Sequence, residues 1–392
     1  MKLSYRYRFY PTPVQADLLA RTFGCVRWVY NWGLETRERA YREHGETLSA
    51  YDLKKRLPAL KRAEGTEWLS EVSSVPLQEA VIHLGTALDK LFAGRGGRPR
   101  FKSRRDQQSA AFTRRAFRYT ESPDGPVLKL AKMAAPLNVR WSRVPPSDPS
   151  SVTVTRDTAG RYFVSLVCDA PARDAPEAER VAVGVDLGLS HFCTLSTGEK
   201  VENPRHLERD LAKLRRAQKA LARKQKGSAN REKARKRVAK IHARIKDRRA
   251  DFLHKLSTRL IRENQAVCVE DLNVAGMVKN RRLARHVHQA GWGEFVRMLE
   301  YKAELHGRTL LKCGRFEPTS KRCSGCGTVR GALDLGTRRW RCGECGEDHD
   351  RDVNAAKNIM AAGLAVAASG DGVSPAVAHA IEVAVCEGGT HT

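Results

Sequence analysis

The chain opens on strict alternation. Leu3, Tyr5, Tyr7 and Phe9 share one face, and Ser4, Arg6, Arg8 and Tyr10 the other. A period of two predicts a strand with one buried face. Pro11, Thr12 and Pro13 end it, with Thr12 placed to cap a helix whose first position is Pro13. The period then changes: Leu18, Leu19, Phe23, Val26 and Tyr30 recur at helical spacing. Helical patterning continues to about Leu91, with breaks near Gly45 and Pro76. After a Gly- and Arg-rich loop from Gly94 to Arg100, short alternating runs at 127–130, 137–141, 152–155 and 162–167 predict a small antiparallel sheet or barrel. If the first strand pairs with these, the helices between are an insertion.

Pro171 to Glu179 has the composition of a linker. Residues 181–195 read as a buried strand turning into a hairpin. From His206 to Arg262 the pattern predicts two helical arms. Leu207, Leu211, Leu214 and Leu221 line one arm, and Val238, Ile241, Ile245, Phe252 and Leu256 the other. Their steps are mostly three and four, as in a coiled-coil seam, with the tip expected at Gly227–Asn230. Ala266–Val269 form another buried strand. The tail after Ser369 is Gly- and Ala-rich and expected to be loose.

With 392 residues, 41% hydrophobic and 29% charged, the chain has material for real cores in two or three domains. The net charge of +27 speaks about partners: it points to a polyanion, above all nucleic acid. An acidic membrane is the competing partner. The longest apolar stretch, Ile359 to Ala368, falls short of the roughly 18 residues a spanning helix needs. The first residues lack the apolar core of a signal peptide. Of ten cysteines, four are clustered and six scattered, unlike a secreted disulfide framework. The expectation is a cytoplasmic, nucleoid-associated protein with no membrane partner.

The charge is concentrated. Residues 211–250 hold 17 Lys/Arg against 2 acids, and residues 91–120 hold 9 against 1. One-signed helical arms cannot neutralise themselves by pairs four residues apart. The plain alternative is a solvated coiled-coil face; a phosphate-lined groove is the reading favoured. The candidate contacts are Arg98, Arg100 and Lys102 in the loop, and Arg215, Arg216, Lys224, Lys236 and Arg237 on the hairpin. Such contacts are sequence-blind and weaken steeply with salt.

Cys323, Cys326, Cys342 and Cys345 form two Cys-x-x-Cys knuckles, each followed by glycine (Gly327, Gly346). This spacing fits one tetrahedral Zn²⁺ ion. Four thiolates leave no open position, so the ion is structural. Cys313 and His349 read as bystanders.

A second group consists of carboxylates at the ends of apolar segments. Val181–Gly188 is a buried strand carrying Asp186, and Val267–Leu272 ends in Glu270 and Asp271. Asp350 and Asp352 stand just before a helical run. Each alone is more often a turn residue or a cap. Together, in a basic protein, they point to an acidic cluster holding two Mg²⁺ ions ~3.5–4 Å apart for in-line phosphodiester hydrolysis.

Gly184, Asp186 and Gly188, then Glu270–Leu272, then Asp350, Asp352, Asn354 and Asn358 after a four-cysteine ribbon, resemble the split RuvC nuclease core of TnpB proteins. These are transposon-encoded relatives of type V CRISPR effectors. The resemblance covers nearly the whole chain. It includes Arg8–Pro11, Gln15, Gly24 and Arg27 to Asn31, then Trp68 to Val72, Leu77–Gln78 and Pro99–Lys102. It continues through Asp251–Lys255 and Gly291–Phe295.

The resemblance implies an RNA-guided DNA endonuclease using two Mg²⁺ and one Zn²⁺. Asp186, Glu270 and Asp352 would be its acids, with Asp350 and Asp348 rivals for the third place and Asp271 a turn or capping residue. It implies a guide RNA of the omega type and a double-stranded DNA target. Tyr51 and Gln78 match positions that read a short target-adjacent motif; a glutamine can bond an adenine edge. A monomer with RNA is expected, with a dimer as the alternative. Rival functions are a compact CRISPR effector, a stand-alone transposase and a non-cleaving RNA-guided repressor.

The implied fold is multidomain, α+β and α/β. A wedge β-barrel, with its first strand at 1–12 and its remainder at 108–172, is interrupted by a helical recognition lobe at 13–107. A linker at 173–180 leads to an RNase H-like RuvC core at 181–316, which contains the basic hairpin 206–262. The zinc ribbon spans 317–348, the last RuvC helix 349–368 and a tail 369–392.

Overall fold

The computed structural model describes residues 1–368 apart from 124, 174–175, 316 and 335, so the tail expected at 369–392 lies outside the described residues. The chain divides into two compact units, Met1–Pro171 with Arg235–Lys240, and Ala172–Ala234 with the chain from Ile241.

In the first unit the alternating start forms β1 (Lys2–Phe9), followed by helices α1 (Pro13–His44), α2 (Ala50–Leu60) and α3 (Ser74–Phe92). Then come β2 (Gln108–Thr113), β3 (Phe117–Thr120), β4 (Val127–Leu130), β5 (Val139–Arg140), β6 (Ser151–Arg156) and β7 (Tyr162–Asp169). Tyr5, Tyr7 and Phe9 are buried, as alternation requires. Thr12 caps α1 in a reciprocal box with Gln15. The Gln15 amide also donates to the carbonyls of Ala135 and Pro136 at 3.2 and 2.9 Å, tying the helix start to the segment before β5. Gly45, at φ 65°, ends α1 in the left-handed region. The break expected near Pro76 is the start of α3, with Pro76 in its first turn, where its missing N–H costs nothing.

β1 pairs antiparallel with β7 along its whole length, Lys2 opposite Asp169 and Phe9 opposite Tyr162. The three helices therefore leave and return within one sheet. The barrel expected from the sequence is not closed. Among the described residues the strands pair in the open order β2-β6-β7-β1-β5, with β3 and β4 a separate hairpin. The edge strand β5 has only two residues, too few to carry a ladder back to β2.

The second unit begins with β8 (Arg180–Leu187), β9 (His191–Leu195) and β10 (Lys200–Glu202). Helices α4 (His206–Ala222) and α5 (Ala229–Glu263) form the basic arms, and β11 (Asn264–Glu270) follows. Next are α6 (Val274–Met277), α7 (Ala284–Ala290), α8 (Trp292–Leu305) and β12 (Thr309–Cys313). The short strands β13 (Arg339–Arg341) and β14 (Asp348–Asp350) precede α9 (Arg351–Ala368). The turn between the arms lies slightly earlier than expected. Ser228 already caps α5 by accepting from Arg231 N, and Gly227 supplies the turn at φ 87°.

The sheet order is β10-β9-β8-β11-β12. β8, β11 and β12 run parallel, β9 pairs antiparallel with β8, and β10 pairs antiparallel with β9. Ala266 to Val269 of β11 are fully buried, as expected of a parallel strand covered on both faces. One face packs on Leu253, Leu260, Phe295 and Leu299; the other on Ile359 and Ala367 of α9. Two glycines set how close α9 lies. A Cβ on Gly184 would stand 1.9 Å from the Ala356 carbonyl, and one on Gly363 2.7 Å from Cys268 Sγ. No helix among the described residues is long and apolar enough to cross a membrane.

Candidate active site and metal centre

Asp186 is the penultimate residue of β8, and Glu270 closes β11 beside it, one step past the paired Val185 and Val269. Both acids thus stand at the carboxyl ends of neighbouring parallel strands, where α/β sheets bind ligands. Asp352 lies in the first turn of α9. Because α9 rests directly on Gly184, that turn reaches the same end of the sheet. The acids sense one another. Burial first, then the charges of Glu270 and Asp352, push the Asp186 carboxyl up to about 7, against a smaller opposing pull from Arg351. They are nonetheless spread more loosely than a closed metal cage. Among the described residues, the His, Cys, Asp and Glu sets whose ligand atoms all fall within 4.8 Å belong to the ribbon.

The neighbouring carboxylates are otherwise engaged. Asp350 Oδ1 accepts from the backbone N–H of Asp352 and Val353 at 3.1 and 3.2 Å, capping α9, and its Oδ2 is 2.6 Å from Lys200 Nζ. Burial alone would raise the Asp350 carboxyl, but Lys200 and these amides bring it below its usual value. Asp271 pairs with Arg315 at 2.8 Å, and Asp348 is exposed. Arg338 Nη1 lies 3.9 Å from Asp352. Glu270 Oε1 accepts from Thr319 Oγ1 at 2.7 Å, a contact no motif announces. Glu270 also borders a cavity of about 310 Å³, whose lining includes Leu272, Trp292, Val296, Lys312 and Arg315.

In the ribbon, the sulfurs of Cys323 and Cys345 are 3.6 Å apart, as are those of Cys326 and Cys342, and all four lie within 4.8 Å. A tetrahedron with metal–sulfur bonds of about 2.3 Å has edges of about 3.8 Å. Gly327 and Gly346 turn the two knuckles at φ 79° and 73°, a conformation that favours glycine. The four thiol sulfurs therefore fit Zn²⁺. Cys313 takes no part: it is buried at the end of β12, and burial drives its thiol up to about 11. His349 is not a bystander. It is buried opposite Trp340 in the β13–β14 ladder, with Nε2 3.0 Å from Cys323 Sγ. The signal for it was the alternation Asp348-His349-Asp350, which turns the middle residue inward.

The basic candidates fall on several surfaces. Arg98 and Arg100 are exposed, and Arg98 pairs with Glu38 at 3.0 Å. Lys102 is held by Asn31, which bonds both its backbone N–H and its carbonyl, and its ammonium lies 3.7 Å from the Tyr30 ring centre. Arg215, Arg216 and Lys224 are exposed on and just beyond α4, and Lys236 and Arg237 on α5. Tyr51 is exposed in the first turn of α2 beneath Lys55, and Gln78 is half-buried on α3. A cleft of about 580 Å³ lined by His206, Arg209, Arg248, Phe252, Lys255 and Arg259 adds cations that charge counting alone did not single out.

Three family models match. OrfB_IS605, described as "Probable transposase", covers residues 163–281; the Cas12f1-like TNB domain covers 292–359; and the OrfB_IS605 helix-turn-helix domain covers 1–46. In this structure that last segment is a strand and one long helix. A Streptomyces pristinaespiralis protein named "Putative RNA-guided DNA endonuclease" is 53% identical over 96% of this chain and 92% of its own. The chain belongs to the TnpB family. Another relative, "Putative RNA-guided DNA endonuclease InsQ" of Escherichia coli, is 30% identical over 94% of each chain. Among solved structures, the Cas12f1–sgRNA–target DNA complex matches with a TM-score of 0.53 at 14% identity. It covers 92% of this chain and 98% of that one. At that identity the likeness is one of mixed α/β fold.

Proposed function

We propose that this TnpB-family chain is an RNA-guided DNA endonuclease whose hydrolytic centre is Asp186, Glu270 and Asp352. One observation carries the assignment: two acids end adjacent parallel strands, and a third opens a helix laid on the first strand at a glycine. The sheet, three parallel strands extended at one edge by the antiparallel β9 and its partner β10, supports an RNase H-type RuvC core. Asp352 is preferred to Asp350, because Asp350 is committed to its cap and to Lys200.

A carboxyl raised to about 7, first by burial and then by its like-charged neighbours, belongs to a cluster short of positive charge. An all-oxygen donor set of this kind suits Mg²⁺. When bound, two Mg²⁺ ions would activate the attacking water and stabilise the leaving 3′ oxygen. The chain's own part is to hold the acids at one end of a rigid sheet. The ribbon cysteines would hold one structural Zn²⁺. The exposed cations of the 94–105 loop and the α4–α5 arms would bind guide-RNA and heteroduplex phosphates. Base pairing would read the target, and Tyr51 and Gln78 the flanking motif. A single centre of this kind would cut both strands in turn, in the service of transposon maintenance.

The test is to sequence RNA that copurifies with the protein, then reprogram it against a plasmid library with randomised flanks. Guide-matched, flank-restricted cutting that Asp186→Ala abolishes is the expected result. Cutting indifferent to the guide points instead to a stand-alone transposase, and guide-matched binding without cutting to a repressor.

A further inference from the structure

Glu270 is held from outside its own strand. Thr319 stands between β12 and the first cysteine knuckle, is 6% exposed, and donates its hydroxyl to Glu270 Oε1 at 2.7 Å. The Thr319 carbonyl in turn accepts from Asn358 Nδ2 at 2.7 Å and from Asn354 Nδ2 at 3.4 Å. The same two amides donate to the carbonyl of Arg322, at 2.7 and 2.8 Å, immediately before Cys323. Asn354 Oδ1 accepts from Ser324 N at 2.9 Å, inside the knuckle. Asn354 and Asn358 are buried one turn apart on α9, and Asn354 is two residues beyond Asp352. Buried amides strongly favour a full set of partners, and here the ribbon backbone supplies them.

We infer that Thr319 is a positioning residue for Glu270, and that the cysteine knuckle fixes where Thr319 stands through Asn354 and Asn358. This rests on the nuclease reading of Glu270. With Oε1 tethered, the carboxylate presents Oε2 in one orientation; without the tether, it must be ordered each time a cation binds. The ribbon is then part of the scaffold of the acids, and loss of its fold reaches Glu270 and α9 together.

The test uses the guide-loaded protein. Thr319→Val keeps the shape and removes the hydroxyl. We expect single-turnover cleavage at limiting Mg²⁺ to fall about ten- to hundred-fold, the value of a hydrogen bond to a charged acceptor. The Mg²⁺ midpoint should move upward, while zinc content and guide-RNA affinity stay at wild-type values. Thr319→Ser should restore rate and midpoint. Mn²⁺ binding followed by electron paramagnetic resonance should weaken in Thr319→Val in the same proportion. That arm needs no cleavage, so it decides the inference even if the wild type proves not to cut. Unchanged Mn²⁺ affinity and unchanged Mg²⁺ midpoint in Thr319→Val, or failure of Thr319→Ser to rescue, overturn the inference. A wild type that does not cut a guide-matched target overturns the nuclease reading instead.

Discussion

Gly184→Ala is the sharpest single perturbation of this architecture. The added Cβ would meet the Ala356 carbonyl at 1.9 Å and the backbone N of Met360 at 2.9 Å. Both obstacles are helix backbone, so no side-chain rotation relieves the clash. To reach even a tight 3.0 Å contact, α9 must move off β8 by about 1 Å. Overpacking of this kind costs ~1–3 kcal/mol where side chains can yield, and the upper end is expected here. The same shift carries Asp352, and a ~1 Å misplacement of reacting groups costs about a hundred-fold in rate. The assay is thermal unfolding paired with single-turnover cleavage on a matched target. Two controls grade the effect. Gly363→Ala meets Cys268 Sγ at 2.7 Å, a side-chain obstacle, and should cost less. Gly293→Ala meets nothing within 4 Å and should be neutral or slightly stabilising. A Gly184→Ala protein with wild-type melting and wild-type cleavage would refute the close docking of α9 and the reasoning built on it.

Other substitutions separate roles within the acidic group. Asp352→Asn should abolish cleavage while leaving guide-RNA binding intact. Asp350→Ala should retain cleavage and lose roughly 0.5–2 kcal/mol of stability from the α9 cap, read by denaturant melts. The raised Asp186 carboxyl gives a pH signature in metal-free protein. Its pKa is higher folded than unfolded, so the folded state holds the proton more tightly. Stability should therefore fall as pH rises from about 4 through about 7, and Asp186→Asn should flatten that slope in melts with chelator present. Zinc quantification with a colorimetric chelator should find one ion per chain. Cys342→Ser should release it and lower the melting temperature of the second unit; full zinc retention would contradict the four-thiolate site.

Much of the fold was legible because its periods are clean. The two-residue alternation of Leu3 to Phe9 and the helical steps from Leu18 to Tyr30 mark elements the structure contains. The apolar run Ala266–Val269 reads as a buried strand, and it is one, covered on both sides. Closure of the first sheet was not legible, because it turns on how many residues of the 137–141 run actually pair, and only two do. The break near Pro76 was legible because a proline favours the first turn of a helix, and α3 begins two residues before it. At the candidate site, Asp186 and Glu270 were visible as acids ending apolar segments, and Asp352 as an acid just before a helical run. Thr319 was not: a threonine in a loop has no period, and its meaning comes from Glu270, far away in sequence. His349 was visible in principle, as the inward residue of a three-residue strand beside the knuckle.

The pairing of β1 with β7 has a consequence for how the protein is made. Residues 2–9 leave the ribosome well before their partners, residues 162–169. At about 5–20 residues per second, the aromatic strand waits roughly 10–30 s for its neighbour. Meanwhile α1 to α3 can form from local contacts. Tyr5, Tyr7 and Phe9 spend that interval as an unpaired, apolar edge, the kind of segment that recruits other chains. Arg6 and Arg8, alternating with them, put two positive charges on that same edge during the wait. A nascent chain at this stage is most exposed to aggregation at β1, and slower elongation between residues 10 and 160 should lower the soluble yield.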